Sequence, residues 1–403
     1  MRLDIKSRGS AALGETMTHG RCAGLSPFLA MSILEKAQEL EGRGRRIIHL
    51  EIGQPDFETP PCIKDAALRA LRDGKTSYTH SLGILPLREG IAEYCLREYG
   101  VEVSPERVLV TNGTSAAMLL LFSVLCGQGD EVITADPAYA CYENFIRYTG
   151  AENIRVPAGE AENFQPGVEK VKSVVGTRTR AILVNSPSNP AGTLLGREEL
   201  RGLASLGPTL VSDEIYHGLV YEGSAVSALE IGPDCCVLDG CSKRYAMTGW
   251  RLGWLIAPPK LMPALQTMQQ NFFICANSIS QWAALAALRE AGEDVKTMAA
   301  AYAKRRLVLL EGLRSLGFSI GSRPAGAFYV LADARHLLRN RARGPADSLA
   351  LALDILEKAG VGLAPGIDFG PGAEGHLRFC YASSPENIEE AVRRLALYME
   401  GNL

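Results

Sequence analysis

The chain has 403 residues, 47% of them hydrophobic and 22% charged. That length carries two or three structural units with sizeable cores, and the composition excludes disordered, collagen-like and low-complexity proteins. Lys and Arg number 42 against 45 Asp and Glu, a net charge of −3, so a strongly basic nucleic-acid-binding protein is not expected.

The longest apolar stretch, residues 116–126, is too short to cross a bilayer and reads as a buried helix. The first residues, MRLDIKSRGSAALGETM, lack the apolar core of a signal peptide, which makes the cytoplasm the expected compartment. Ten cysteines form no CxxC pair and six histidines form no HExxH. Neither a metal site nor a disulfide framework is expected, and the thiols read as buried and free.

In chain order, residues 1–25 read as a flexible arm. PFLAMSILEKAQELEGRG follows with helical periodicity and stops at Gly42 and Gly44. IIHLEI (47–52) reads as a strand and GQPD as a turn. The middle of the chain supplies VLVT (108–111), EVITA (131–135), AILVN (181–185), TLVSDEI (209–215), CVLDG (236–240) and RLGWLIA (251–257). These are apolar runs rather than alternations, the mark of strands buried on both faces, and helices over 114–126, 138–149 and 196–206 separate several of them. The last hundred residues mix a long helix (291–316), FYVLAD (328–333), a helix (346–359), VGLAP (361–365), HLRFCYA (376–382) and a closing helix (385–399), a smaller α+β unit.

Polar residues recur where apolar runs end. VLVT leads into Asn112-Gly113-Thr114-Ser115, AILVN into Ser186-Pro187-Ser188-Asn189, TLVSDEI carries Asp213 and then Tyr216, and CVLDG ends at Cys241-Ser242-Lys243. In an open α/β sheet, ligands bind at these carboxyl ends. A strand, a glycine turn and a helix start suit a phosphate, although Thr114 or Ser115 alone would serve as an ordinary helix cap. Neither the P-loop lysine nor a GxGxxG fingerprint is present. A carboxylate in an apolar strand needs a cation opposite it, a desolvated lysine suits a Schiff-base amine, and an arginine suits a phosphate or carboxylate. Taken together, Asp213, Lys243, Arg251 and the Gly113 turn fit pyridoxal 5′-phosphate (PLP).

The motifs SKRYAMTGWRLGW (242–254), NSPSNPAGT (185–193) and SDEIYHGLVYEG (212–223), supported by LEIGQPDFETP (50–60), YTHSLGILPLREGIA (78–92), VTNGTSAA (110–117) and HLRFCYA (376–382), resemble the class I/II aminotransferases of the aspartate aminotransferase superfamily. The resemblance runs from about Ser26 to the C-terminus. It implies PLP fold type I: a three-layer α/β/α large domain with a mostly parallel sheet over 55–300, and a smaller α+β domain from 26–54 and 301–403. It implies exchange of an amino group between an L-amino acid and a 2-oxo acid in amino-acid metabolism. Lys243 would bind PLP covalently and carry the proton, Asp213 would face the pyridine nitrogen, and Tyr216 and Asn189 would bond the phenolic oxygen. Gly113, Thr114, Ser115, Ser242 and Arg251 would hold the phosphate, and Tyr139 would stack on the ring. Arg378, helped by the Gly53 backbone, would clamp the α-carboxylate. Tyr78 would reach the phosphate of a neighbouring subunit, implying a homodimer with shared sites.

Two departures stand out. Some aspartate-preferring relatives carry a lysine at the position of Ser115, so its absence points to neutral donors. Arg244 replaces the more usual small or hydroxyl residue and is expected at the surface or against a partner subunit. A C–S lyase or other elimination enzyme would share the same Lys-Asp-Arg set. A ligand-sensing regulator on this fold would need a DNA-binding domain, for which the residues before Ser26 are too few.

Overall fold

A computed structural model describes residues 20–339 and 345–401. Most of the expected N-terminal arm, up to residue 19, lies outside the described residues; a short 3-10 turn spans Arg21–Gly24. The strands are β1 (Ile48–His49), β2 (Val108–Thr111), β3 (Glu131–Asp136), β4 (Glu152–Pro157), β5 (Thr179–Asn185), β6 (Thr209–Asp213), β7 (Cys236–Gly240), β8 (Gly253–Ile256), β9 (Tyr329–Asp333), β10 (Val361–Gly362), β11 (Ala364–Pro365) and β12 (His376–Cys380).

Seven strands form one sheet in the order β2-β8-β7-β6-β5-β3-β4. β3, β4, β5, β6 and β7 pair in parallel, whereas β8 runs antiparallel to both β7 and β2. β2 therefore points the same way as β7, and the carboxyl ends of β2, β3, β5, β6 and β7 share one edge. Helices cover the sheet, and its inner strands β3, β7 and β8 are buried along their whole length. The helix Thr114–Leu125 buries Ala116, Ala117, Met118, Leu120, Leu121 and Phe122 and so has no free polar face.

β9, β11 and β12 form a separate antiparallel sheet in the order β11-β12-β9, and β1 pairs in parallel with β10. The helix Leu29–Glu41 buries Ala30, Ile33, Ala37 and Leu40, a stripe at three- and four-residue spacing. The Asp368 carboxylate caps it, accepting the N–H groups of Leu29 at 2.9 Å and Ala30 at 3.0 Å. The fold is the expected type I architecture.

Several expected elements change in extent. The strand read over 251–257 begins at Gly253, because Arg251 adopts a left-handed φ of 53° that an extended ladder excludes. The strand read over 209–215 ends at Asp213, and the one read over 47–52 shrinks to Ile48–His49.

Candidate active site

The aligned strand ends open into one cavity of about 260 Å³. Gly53, Thr114, Ser115, Tyr139, Asn189, Asp213, Tyr216, Ser242, Lys243, Arg251 and Arg378 all line it. Gly113 stands directly behind: a Cβ there would meet Arg251 Nη2 at 2.6 Å, and its φ of +82° also favours glycine. Tyr78 is not brought in. It stands 81% exposed, away from the lining.

Lys243 follows β7 and donates to the Gly53 carbonyl at 2.5 Å. Burial pushes its amine down to about 8, with the Arg378 and Arg251 charges acting the same way and Cys380 and Asp213 opposing. Asp213 ends β6. Its Oδ2 accepts the Tyr142 hydroxyl at 2.7 Å and its Oδ1 the Ile215 N–H at 3.2 Å. Burial still raises its carboxyl to about 6, against those two bonds and the Lys243 charge. Tyr216 shares a 2.8 Å hydroxyl contact with Tyr329.

At the electropositive end, the helix Thr114–Leu125 has Gly113 as its N-cap, and no side chain caps it. Neither Thr114 nor Ser115 fills the ordinary capping role, which leaves the helix start open to an anion. Gly253 lets β8 approach closely; a Cβ there would sit 2.8 Å from the Thr114 nitrogen. Arg251 donates to the Thr248 carbonyl at 3.0 Å through Nη1.

At the opposite end, Arg378 is buried on β12. It donates to Asn189 Oδ1 at 3.0 Å and to the Glu51 carbonyl, and its Nε has no partner. Its guanidinium carbon lies 4.4 Å from the Tyr329 ring centroid and 4.9 Å from that of Phe369. An oriented buried cation with a spare donor is suited to a carboxylate.

The sequence model of aminotransferase classes I and II matches residues 45–395. The chain belongs to the class I and II aminotransferases. It is 38% identical over 387 residues to the (5-formylfuran-3-yl)methyl phosphate transaminase of Methanocaldococcus jannaschii, covering 95% of this chain and 100% of that one. It is 39% identical to the aspartate/prephenate aminotransferase of Thermus thermophilus, covering 93% and 97%. The structure of Thermus thermophilus aspartate aminotransferase with maleate superimposes with a TM-score of 0.88 at 39% identity, over 93% of this chain and 98% of that one. Aminotransferases of this family are PLP-dependent, and transamination takes precedence over the elimination and regulator readings.

Several residues of this aminotransferase's cavity were not anticipated: Phe28, Met31, Ile52, Met118, Tyr142 and Tyr329. All are apolar or aromatic, so nothing in the sequence separates them from core. Only their adjacency to quoted motifs, Tyr142 beside Tyr139 and Tyr329 within FYVLAD, carried a signal.

Proposed function

We propose that this aminotransferase binds PLP in the cavity and transfers amino groups between L-amino acids with neutral side chains and 2-oxo acids. The observation that carries the reading is the joint placement of an uncharged-prone lysine, a buried carboxylate, an uncapped helix start and a buried arginine with a spare Nε–H around one cavity. These groups match the aldehyde, ring nitrogen and phosphate of PLP and the carboxylate of its substrate.

In this reading the Lys243 amine holds the cofactor and then moves a proton at the substrate's Cα. Asp213 keeps the ring nitrogen protonated, and Tyr142 keeps Asp213 turned toward it. Tyr216 and the free amide N–H of Asn189 bond the phenolic oxygen. The Gly113–Ser115 backbone, Ser242 and Arg251 hold the phosphate, while Tyr139 covers the ring. Arg378 orients the α-carboxylate, and the Gly53 carbonyl keeps the released amine close. When bound, PLP supplies the electron sink that makes the Cα proton acidic. Phe28, Met31 and Ile52 line the cavity with apolar surface, and Ser115 adds no charge, which favours neutral donors with glutamate or 2-oxoglutarate as the common partner.

Residues 26–54 and 301–403 are read as the smaller domain and 55–300 as the larger. A homodimer accounts for Tyr78, which lies beside other exposed apolar residues: Phe272 and Ile274 belong to the segment whose Cys275 accepts the Thr79 N–H at 3.4 Å. A partner's copy of Tyr78 would then complete the phosphate site. The cysteines of the described residues are all free, which suits the reducing cytoplasm.

Borohydride reduction followed by peptide mapping tests the core of the proposal. PLP is expected on Lys243, and Lys243→Ala is expected to be colourless; attachment to any other lysine rejects the assignment. Sedimentation at micromolar concentration tests the assembly, with a fully active monomer as the refuting result.

A further inference from the structure

Arg244 does not lie out on the surface of the chain. Its side chain is only 13% exposed. Nη1 donates to the Tyr94 hydroxyl at 2.6 Å, and Nη2 lies 3.5 Å from Glu98. The guanidinium carbon stands 4.9 Å from the Tyr94 ring centroid and 5.6 Å from that of Tyr245. Two aromatic faces, a phenol and a carboxylate define a planar slot that a lysine cannot fill equally.

Two routes lead from this slot to the other half of the site. The first is direct: Gly218 lies against the arginine, and a Cβ there would meet Nε at 2.7 Å and Cδ at 2.8 Å. The second is a chain of polar atoms. The Tyr94 hydroxyl meets that of Tyr99 at 2.9 Å, and Tyr99 meets His217 Nδ1 at 2.8 Å. The His217 backbone N–H donates to the Glu214 carbonyl at 2.8 Å. His217 is flanked in sequence by Tyr216 and Gly218, and Glu214 follows Asp213. Both routes therefore join the residue after the lysine to the turn that carries Asp213 and Tyr216.

The cluster is polar but little charged inside. Burial drives His217 down to about 3 and raises Glu214 to about 7, and it raises the Asp239 carboxyl as well. Glu98, exposed at the rim, is the anion nearest the guanidinium.

We propose that Arg244 is a positioning residue that clamps the Lys243 turn onto the Asp213–Tyr216 turn. Lys243 swings its side chain during catalysis, and a swinging amine needs a fixed base if it is to return to the same place. Arg244 supplies that base without touching cofactor or substrate. Loss of the clamp lets the lysine backbone shift against Asp213, and displacements of about 1 Å are enough to slow such chemistry strongly.

The inference rests on Lys243 as the PLP anchor. The variants Tyr94→Phe and Arg244→Met, with Arg244→Lys beside them, test it. Half-reaction kcat is expected to fall roughly tenfold in Tyr94→Phe and Arg244→Met while donor KM changes less than twofold. Arg244→Lys, which keeps the charge and loses the fork, is expected to recover little of it. In the apoproteins, labelling of Lys243 by a small aldehyde across pH is expected to shift its midpoint upward, because a loosened turn admits water to the amine. Folded variants with wild-type kcat and an unmoved midpoint overturn the proposal. Should Arg244→Met fail to fold, the gentler Tyr94→Phe decides by the same two readings. PLP reduced onto a lysine other than Lys243 in the wild type overturns the PLP anchor instead.

Discussion

Tyr142 donates its hydroxyl hydrogen to Asp213 at 2.7 Å, and both are buried. The bond favours the charged carboxylate against a burial that raises it to about 6. A bond to a charged group contributes about 1.5–3 kcal/mol, or roughly one to two pKa units. Tyr142→Phe is therefore expected to move Asp213 further up, so that more of it is protonated at neutral pH. PLP affinity of the apoprotein should weaken on acidification through a midpoint near 6 in the wild type and near 7 in the variant. Titrations of Kd against pH with the same midpoint in both proteins refute it.

The Lys243 amine, lowered to about 8, makes a second pH prediction. Only the neutral amine attacks an aldehyde, and its fraction rises as pH passes upward through its pKa. The rate of PLP capture by the apoprotein is expected to climb to about pH 8 and then level off. A rate still rising tenfold per pH unit between 8.5 and 10 would mean that the cavity does not desolvate the lysine.

Gly53 is forced by its neighbour. A Cβ there would lie 1.8 Å from the Tyr329 hydroxyl and 2.8 Å from the ring carbon that bears it. Gly53→Ala is expected to destabilise by about 1–3 kcal/mol, the usual range for overpacking. Adding Tyr329→Phe removes the closer of the two contacts and should recover part of the loss. Denaturant midpoints of the two single variants and the double check this; strictly additive effects argue against the contact.

In the proposed function Arg378 serves the carboxylate, a group common to every α-amino acid. Arg378→Lys loses the fork and the stacking on Tyr329 and Phe369, so kcat/KM is expected to fall by roughly 10–100-fold. The factor should be similar for alanine, methionine and phenylalanine as donors. A loss confined to one donor would place Arg378 at the side chain rather than the carboxylate. In the wild type, neutral donors should outperform aspartate, and strict aspartate preference would refute the argument from Ser115.

The frame was legible where residues are constrained locally. Buried strands show as apolar runs, and the polar groups that interrupt them at β5, β6 and β7 stand out against that background. β4, Glu152–Pro157, was missed because it is an edge strand with half-exposed residues and no apolar run. The helices Pro61–Arg72, Leu85–Tyr99, Met262–Phe272 and Ser278–Glu290 were not assigned; the second opens on Leu-Pro and holds a glycine, which blunt its periodicity. Within the site, Lys243 and Asp213 are conspicuous because charge in an apolar strand or after it demands a reason. Tyr142 and Tyr329 are not, since an aromatic residue needs none. The burial of Arg244 was not legible because its contacts Tyr94 and Glu98 lie some 150 residues earlier, and no local pattern reports such a distance.

The pairing of β1 with β10 sets an order of events during synthesis. Ile48 pairs with Val361, the Leu50 N–H bonds the Gly362 carbonyl, and Leu50 in turn accepts from Cys380. Gly53, the Lys243 amine's partner, hangs at the end of a segment whose ladder is translated almost last. A nascent chain has all seven strands of the main sheet available by residue 256, with Asp213 on β6 and Lys243 in the turn between β7 and β8, while its N-terminal segment still waits for a mate. Domains fold as units as they leave the ribosome. In the proposed reading the residues that face the cofactor are therefore out before Arg378, which joins Glu51 across 327 residues only at the close. On that reading a polypeptide released early would carry Lys243 without the arginine that orients the α-carboxylate.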